Sequence, residues 1–296
     1  MHIHKSRFLV RGEVWYDDER SETPVDWILY RQRSQPVPAT KWKLFYTILV
    51  DLFQSREALL MAMSTSNAYQ IRRARDRDRI ICECPKSVSR QLLDTFTETY
   101  KRFASIKHLP PLDRPFLDQL ADDGRLEVSV AKDSSGAPLV YHVYYCGPNR
   151  CCLLHTVSLY QALSDSAARN TMGRANRYLF WSDMLRNREH GLKFFDFGGW
   201  YPGNTDQDLL DINRFKEGFG GRIVREYNCE EIVSLKARVV LSFASLLGRV
   251  KANVVKMRGG RGTCKTEVPA TEVENSSGSS MARAETPALH ESELTN

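Results

Sequence analysis

The sequence predicts an α+β fold in which a mixed, mostly antiparallel sheet is flanked by helices. Residues 125–158 contain three strand-like segments joined by short turns, which is typical of an antiparallel meander. Helical and strand segments alternate on both sides of this meander, as expected when helices pack against a sheet. The chain has 296 residues, of which 42% are hydrophobic, so it can bury the core of one large domain or two small ones.

Residues 1–40 are predicted to form an appended strand hairpin followed by a linker. Two strand-like segments, 7–16 and 25–31, are joined by an acidic turn. A polar segment with two prolines follows at 32–39, and it separates the hairpin from the rest of the chain.

The main domain is predicted to occupy residues 41–229. Its first half contains a strand at 45–52, a helix capped by Ser55, a strand at 79–85 and a longer helix that begins at Ser87. A short helix then leads into the meander, whose strands are predicted at 125–132, 138–146 and 150–158.

Four elements are predicted after the meander. A largely apolar helix spans 173–190, and the next strand carries Asp196. Asp208 is expected to cap a helix that carries Lys216, and the last strand is expected over 222–228. The order of elements therefore suits a sheet with helices packed against it.

The C-terminal part of the chain is predicted to lie outside this domain. Residues 230–257 resemble an amphipathic basic helix, which suits either an anionic membrane surface or packing against the domain. Residues 258–296 lack hydrophobic periodicity and are expected to be disordered. The start of the chain lacks the apolar stretch of a secretory signal, so we expect a cytoplasmic protein, with peripheral contact to the inner membrane leaflet as an additional hypothesis.

The composition favours an anionic partner and does not indicate a metal site. The net charge is +6, but the last 32 residues hold two basic and six acidic side chains, so residues 1–264 carry +10. Such a charge suits a nucleotide cofactor, a phosphorylated precursor, an RNA or an anionic lipid, although a solvated cationic surface is the alternative. The seven cysteines lack paired zinc-type spacing, and several are expected to act as small hydrophobic residues.

Asp196 and Lys216 are candidate catalytic residues that could face a common cavity. Burial among phenylalanines is expected to raise the basicity of Asp196, although the carboxylate could instead accept backbone hydrogen bonds from the following glycines. Lys216 could stabilise negative charge or simply interact with the helix dipole. His155, on the third meander strand, is either a base or a core histidine; the pattern places it on one face with Cys151 and Leu153.

The segment Asn170–Asn176 is predicted to form an anion-binding turn at the start of the Gly173 helix. Free backbone N–H groups there could bind a pyrophosphate, with Arg174 and Arg177 adding charge and Ala175 leaving room for close approach. An ordinary capped helix start is the alternative. Upstream, Arg72 and Arg73 belong to an arginine-rich segment that either touches a phosphate-bearing substrate or forms a solvated helix face.

These motifs together resemble the FemAB-like branch of the GNAT acyltransferase superfamily. They are the Asn170–Asn176 turn, the following helix, KFFDFGG at 193–199 and FKEGFGG at 215–221, with SNAYQIRRARDRD at 66–78 upstream. The resemblance extends over about residues 45–228. It implies a single GNAT-like domain in which Asn170, Gly173, Arg174, Ala175 and Asn176 correspond to the acyl-CoA pyrophosphate loop, with Asn170 departing from the usual glutamine or arginine.

The resemblance also implies an activity. The protein is expected to be an N-acyltransferase that moves an acyl group from acyl-CoA to an amine of a sugar or peptide precursor of the cell envelope, with no metal. An aminoacyl-tRNA-dependent transferase and a non-catalytic ligand-binding module are the alternatives. Asp196, Lys216 and His155 are the expected catalytic residues. Arg72, Arg73 and Tyr201 are expected to contact the substrate, and the general acid stays open among Tyr144, Tyr178, Tyr201 and Tyr227.

Overall fold

Ten strands form one sheet in the computed structural model, which describes residues 1–5, 8–158 and 165–242. In chain order the strands are β1 (His2–Lys5), β2 (Val10–Trp15), β3 (Trp27–Arg33), β4 (Lys41–Asp51), β5 (Ile81–Glu83), β6 (Leu126–Lys132), β7 (Pro138–Cys146), β8 (Arg150–Ser158), β9 (Phe194–Gly199) and β10 (Arg222–Ile232). Across the sheet they follow the order β1-β2-β3-β10-β4-β9-β8-β7-β6-β5.

The helices that flank this sheet are α1 (Arg56–Ala62), α2 (Thr65–Asp76), α3 (Arg90–Lys107), α4 (Arg114–Asp122), α5 (Ser166–Glu189) and α6 (Gln207–Glu217). Neighbouring strands pair antiparallel except for β2 with β3 and β8 with β9, which are parallel. The predicted α+β class and the mixed, mostly antiparallel sheet are therefore confirmed.

Hydrophobic side chains fill both faces of the sheet. On one face, α3 and α4 cover β6 to β8, and α3 buries Leu93, Phe96, Tyr100 and Ala104 at the spacing of one helical stripe. On the other face, α1, α2, α5 and α6 cover the centre of the sheet, where Phe180, Phe195, Phe197 and Phe219 pack edge to face or tilted. The sheet thus separates two cores.

The N-terminal hairpin prediction is wrong in its pairing. Both predicted strands exist, but β2 and β3 are parallel, with Arg11 opposite Trp27. Asp26 explains this pairing, because its carboxylate accepts from the Val10 N–H at 2.7 Å and its own N–H donates to the Val10 carbonyl at 2.8 Å. The start of β3 is thereby fixed beside the start of β2. β3 also pairs with β10, so these strands extend the main sheet.

Several helix starts differ from the prediction by a few residues. Ser55 caps α1 as predicted, accepting from the Ala58 N–H at 3.1 Å. Ser89 caps α3 in place of Ser87, and Asp206 caps α6 in place of Asp208. In each case the side-chain oxygen accepts from a backbone N–H three residues further on, and this geometry selects one polar residue among several near the helix start.

The last described residues also differ from the prediction. β10 continues to Ile232, four residues beyond the predicted end of the strand, and helix begins only at residue 235. The predicted basic helix at 230–257 therefore starts too early, and the part of it beyond residue 242, with the predicted tail at 258–296, lies outside the described residues. Within the described ranges, no helix is long and apolar enough to span a bilayer.

Cys146 and Cys151 do not act as separate hydrophobic side chains. They are directly opposite one another on β7 and β8, and they form a disulfide. Cys152, the next residue of β8, is a buried free thiol on the opposite face, in the core under α3. The alternation of side chains along β8 therefore decides which cysteine can pair.

Candidate active site

The parallel strands β8 and β9 stay paired over only three residues. Their partners are Arg150 with Phe194, Cys151 with Phe195 and Cys152 with Asp196. Beyond this point β8 stays with β7 up to Ser158, whereas β9 stays with β4. Two parallel strands that part at their carboxyl ends create the kind of crevice in which α/β proteins bind ligands.

Gly198 occupies the point at which β9 leaves β8. Its φ is +67°, and a Cβ atom there would lie 2.9 Å from the carbonyl oxygen of Leu153, so only glycine fits without strain. The N–H of Gly198 donates to Asp196 Oδ1 at 2.8 Å. Its carbonyl accepts from Lys216 Nζ at 3.3 Å, and the carbonyl of Gly199 accepts from the same nitrogen at 2.6 Å. Asp196 and Lys216 are thus joined through Gly198.

Asp196 is the centre of a buried charge network. Arg150 Nε donates to Asp196 Oδ2 at 2.9 Å, and Gln32 Nε2 donates to the same oxygen at 2.9 Å. The hydroxyl of Thr47 donates to Oδ1. Because β10 and β4 lie between β3 and β9, the contact from Gln32 requires a strongly curled sheet. The other side of the Arg150 guanidinium binds Glu226, with Nη1 2.6 Å from Oε1.

The predicted high basicity of Asp196 is not found. Burial alone would raise the pKa of Asp196, but the Arg150 guanidinium, the Thr47 hydroxyl and the Gly198 N–H hold this pKa below its ordinary value. Glu226 differs, because burial raises its pKa more than Arg150 lowers it. Asp196 therefore stays ionised and is suited to positioning the Gly198 turn.

Lys216 is a half-buried cation. Burial lowers the pKa of Lys216 to about 8, against an opposing effect of the Asp196 carboxylate. At neutral pH the amine is still mostly protonated, and it donates to the two glycine carbonyls at the end of β9. Phe219, three residues further along the chain, is fully buried, whereas Ile212 is 47% exposed.

His155 packs against the aromatic side chains of α3. A β-bulge between Leu153 and His155 reverses the side-chain alternation of β8, so Val157 joins Cys152 in the core under α3, away from Cys151 and Leu153. The imidazole contacts Phe96 and Tyr100, with ring centroids 6.2 and 5.3 Å away. Burial lowers the pKa of His155 to about 4, so the ring is neutral at physiological pH.

The predicted anion-binding turn at Asn170–Asn176 is wrong. α5 begins at Ser166 with Asp165 as its cap, so this segment lies inside the helix and its N–H groups are used in the helical ladder. Ala175 is fully buried in the core. The Asn176 amide points inward, with Oδ1 2.7 Å from His142 Nε2. Neither residue is placed to bind a cofactor.

Side chains of the same segment nevertheless line a pocket between α2 and α5. This arginine pocket has a volume of about 510 Å³, and its lining consists of Gln70, Arg73, Arg169, Asn170, Gly173, Arg174 and Arg177. It brings together Arg73, predicted to bind substrate, with Asn170, Gly173 and Arg174, predicted to bind cofactor. Arg177, predicted to add charge beside this segment, also lines the pocket. Sequence reasoning missed Arg169, although it lies four residues before Gly173 and so on the same helix face.

The other predicted substrate residues lie elsewhere. Arg72 is exposed on α2 and is absent from the pocket lining, although its neighbour Arg73 is present. The Tyr201 hydroxyl lies 3.2 Å from Thr205 Oγ1, and Asn213 fixes the backbone of Tyr201 through its N–H and its carbonyl. Tyr144, considered as a general acid, is fully buried, and its hydroxyl donates to Asp183 at 2.6 Å. Burial raises the pKa of Tyr144 well above its ordinary value.

Sequence reasoning also missed Arg150, Gln32 and Glu226. They come from three strands that are far apart in the chain, so no local motif connects them. The charge of Arg150 at the start of an otherwise apolar strand is the one feature that could have suggested a buried partner.

Comparison with known proteins defines the fold. No family model and no curated protein matches the sequence. Among solved structures, the crystal structure of FemX is similar with a TM-score of 0.51 at 16% sequence identity, over 64% of this chain and 61% of that chain. The chain thus spans less than two thirds of FemX.

Two further structures are similar at lower scores. The C-terminal domain of a putative lysylphosphatidylglycerol synthetase from Agrobacterium fabrum has a TM-score of 0.49 at 15% identity, over 83% of this chain and 88% of that domain. N-myristoyltransferase of Saccharomyces cerevisiae, with bound myristoyl-CoA, has a TM-score of 0.36 at 12% identity, over 70% of this chain and 52% of that one. The predicted FemAB-like resemblance is confirmed at the level of the fold, because the chain shares the fold of FemX.

Proposed function

We propose that the protein is an N-acyltransferase that moves an acyl group from a phosphate-bearing carrier to an amine of a sugar or peptide precursor, in cell-envelope or polysaccharide biosynthesis. One observation carries this proposal: the Lys216 cation is bound to the Gly198 turn where β8 and β9 part. A desolvated cation at the end of a strand crevice is suited to stabilising negative charge that develops on a reacting carbonyl.

In the proposed reaction a neutral amine attacks the acyl carbonyl. The C–N bond forms, the carbonyl oxygen becomes an oxyanion, and the bond to the carrier's sulfur or oxygen then breaks. The amine loses a proton, and the leaving group gains one. Lys216 has three N–H donors, of which two bind the carbonyls of Gly198 and Gly199 in the described part of the chain. The third is available for the oxyanion.

A dedicated base is not required in this mechanism. The pKa of Asp196 lies below its ordinary value and the pKa of His155 is lowered to about 4, so both are weak bases at neutral pH. We therefore expect the amine to react in the fraction that is already deprotonated in solution. Activity should rise with pH as the amine loses its proton, and it should fall as Lys216 deprotonates through a pH of about 8.

Two donor classes remain in this proposal. Acyl-CoA is the first, and an aminoacyl-tRNA is the alternative. The aminoacyl-tRNA is supported by the helical backbone of Asn170–Asn176, because its N–H groups are not free to bind the pyrophosphate of CoA. Arginine side chains in the arginine pocket suit the phosphates of either carrier. A non-catalytic ligand-binding module is a third candidate, and it predicts no transfer from either donor.

Replacement of Lys216 by methionine tests the proposal. Acyl transfer from acetyl-CoA and from an aminoacyl-tRNA to an amino-sugar or peptide acceptor is measured by mass spectrometry of the product. Lys216→Met should lower kcat by about a hundredfold or more, as loss of an oxyanion donor does. The matched control is Arg214→Met, since Arg214 lies in the same last turn of α6 but is 64% exposed.

The control variant should keep its kcat within about threefold of wild type. Two results contradict the proposal: transfer that survives Lys216→Met within threefold, or an alkaline limb of the pH profile that does not lie near 8. If wild type transfers from neither donor, the ligand-binding alternative is favoured.

A further inference from the structure

We propose that the arginine pocket between α2 and α5 is a phosphate-binding site built from side chains, and that it binds a pyrophosphate or two neighbouring phosphodiester groups. Its lining contains four arginines and no acidic residue. A pocket of about 510 Å³ has room for more than one phosphate group. Planar guanidinium groups are well suited to phosphate because each can donate two parallel hydrogen bonds.

Arg177 is the strongest argument for a missing anion. It is a half-buried cation, yet its contacts in the described part of the chain are all neutral. Nε donates to Asn67 Oδ1 at 2.9 Å, Nη1 donates to the Gly173 carbonyl at 3.0 Å, and the guanidinium carbon lies 4.9 Å from the centre of the Phe215 ring. Burial lowers the pKa of Arg177. A desolvated cation without a carboxylate is costly unless an anion binds beside it.

Two further arginines, Arg174 and Arg73, line the same pocket. Arg174 is fixed by an ion pair with Asp78, and its Nη2 donates to the Thr171 hydroxyl at 2.8 Å. Arg73 enters the pocket from α2, on the opposite wall. Guanidinium groups from two helices thus line one pocket. Arginines that only form a solvated helix face would not need to meet in this way.

The position of the pocket connects it to the proposed transfer site. Phe215, under the Arg177 guanidinium, immediately precedes Lys216 on α6. A phosphate bound at Arg177 therefore lies beside the turn of α6 that carries the proposed oxyanion donor. The assignment of this phosphate to the acyl donor rests on the proposed function, whereas binding of phosphate is measured without any transfer.

Direct binding measurements test the site. The probes are inorganic pyrophosphate, coenzyme A and a short single-stranded RNA that ends in CCA, each titrated by calorimetry or fluorescence anisotropy at two salt concentrations. Arg73→Gln is the main variant, because Arg73 is exposed and its loss should not affect folding. Arg72→Gln is the matched control, since Arg72 is the preceding residue on the same helix and does not line the pocket.

We expect Arg73→Gln to weaken binding of at least one probe about tenfold or more, and Arg72→Gln to change it by less than twofold. Arg177→Met should weaken the same probe at least as much, and Lys216→Met should leave its affinity within about threefold. If the protein prefers the RNA, and the slope of log K against log salt concentration is reduced by about 0.7 in Arg73→Gln, the bound phosphate belongs to a nucleic acid. If it prefers coenzyme A, the bound phosphate belongs to the nucleotide carrier.

Two outcomes overturn the inference. The first is that no probe binds more weakly to Arg73→Gln or Arg177→Met than to wild type. The second is an equal loss in Arg72→Gln and Arg73→Gln, which would indicate a diffuse cationic surface. If phosphate binds as expected but no transfer is found, the assignment of the pocket as a phosphate-binding site is retained and the proposed function is rejected.

Discussion

Arg150 is a buried arginine and Arg177 a half-buried one, and their surroundings are opposite. Arg150 lies between the carboxylates of Asp196 and Glu226, and its guanidinium carbon lies 4.6 Å from the centre of the Tyr16 ring. Among the described residues, the partners of Arg177 are an amide, a backbone carbonyl and a phenylalanine ring. Burial works against the charge in both cases, yet the pKa of Arg150 is raised by its carboxylates and the pKa of Arg177 is lowered.

The difference separates a structural charge from a candidate binding charge. A guanidinium that two carboxylates neutralise has its counterions within the fold, and removing it leaves uncompensated negative charge in the interior. A guanidinium that faces a pocket without a counterion is not needed for charge balance within the fold. Its charge is stabilised when an anion binds in the pocket. The same residue type therefore has two different expected responses to mutation.

The largest effect is expected for Arg150→Met. This change leaves Asp196 and Glu226 buried without their cation, so the free energy of unfolding should fall by about 3–5 kcal/mol. Urea unfolding followed by circular dichroism measures this loss. The control is Lys101→Met, because Lys101 and Glu98 form an exposed pair that contributes about 0.5 kcal/mol or less.

The pH dependence of the same variant gives a second check. The folded pKa of Asp196 lies below its ordinary value, so the stabilisation by ionised Asp196 is present above the ordinary carboxyl range and is lost as pH falls through the folded pKa. Wild type should lose more stability than Arg150→Met when the pH is lowered through this range. A loss below about 1 kcal/mol at neutral pH would contradict the structural role of Arg150.

An intermediate effect is expected for Gly198→Ala, because the Arg150 network holds the turn that Gly198 forms. The alanine would adopt a positive φ and would also press its Cβ against the Leu153 carbonyl, for a total cost of about 3 kcal/mol. Gly136→Ala is the matched control, since Gly136 has a φ of +88° but no heavy atom within 4 Å of the added Cβ. It should cost only about 1 kcal/mol.

The stability of both glycine variants is measured by thermal unfolding. The difference between their losses of stability gives the contribution of the close contact between β8 and β9. We also expect Gly198→Ala to reduce acyl transfer, because the carbonyls that bind Lys216 would move. Equal losses of stability in both variants would show that the two strands are not held closely together at this point.

The smallest effect on stability is expected for Arg177→Met. Because no carboxylate among the described residues depends on Arg177, the free energy of unfolding should stay within about 1 kcal/mol of wild type. Urea unfolding is measured with and without pyrophosphate. Pyrophosphate should stabilise wild type and fail to stabilise the variant. A loss as large as that of Arg150→Met would remove the distinction between the two arginines.

Most individual elements follow from local sequence patterns. The strand-like segments and the turns between them predict β7 and β8 with their observed bounds. The start of α5 could not be predicted in the same way. Residues 166–171 are polar or small, so they carry no hydrophobic period, and Asp165 sets the helix start through its contacts with the N–H groups of Ala167 and Ala168.

The candidate site was only partly predictable. Asp196 and Lys216 stand out because polar residues interrupt apolar, glycine-rich segments, and both do meet at Gly198. Their expected chemistry could not be read from the same segments. The pKa of Asp196 depends on Arg150 and Thr47, which approach from neighbouring strands, and the position of His155 depends on a bulge in β8.

The sequence by itself determined the succession of strands and helices and the residues that carry charge inside apolar segments, because both depend on periodicity and polarity within a few neighbouring residues. Only the tertiary structure decided that β2 and β3 are parallel, that Arg150 has two counterions and that Arg177 has none within the part of the chain that the structure describes. Those facts depend on which distant segments meet, and burial and pairing of a charge are set by all the residues around it.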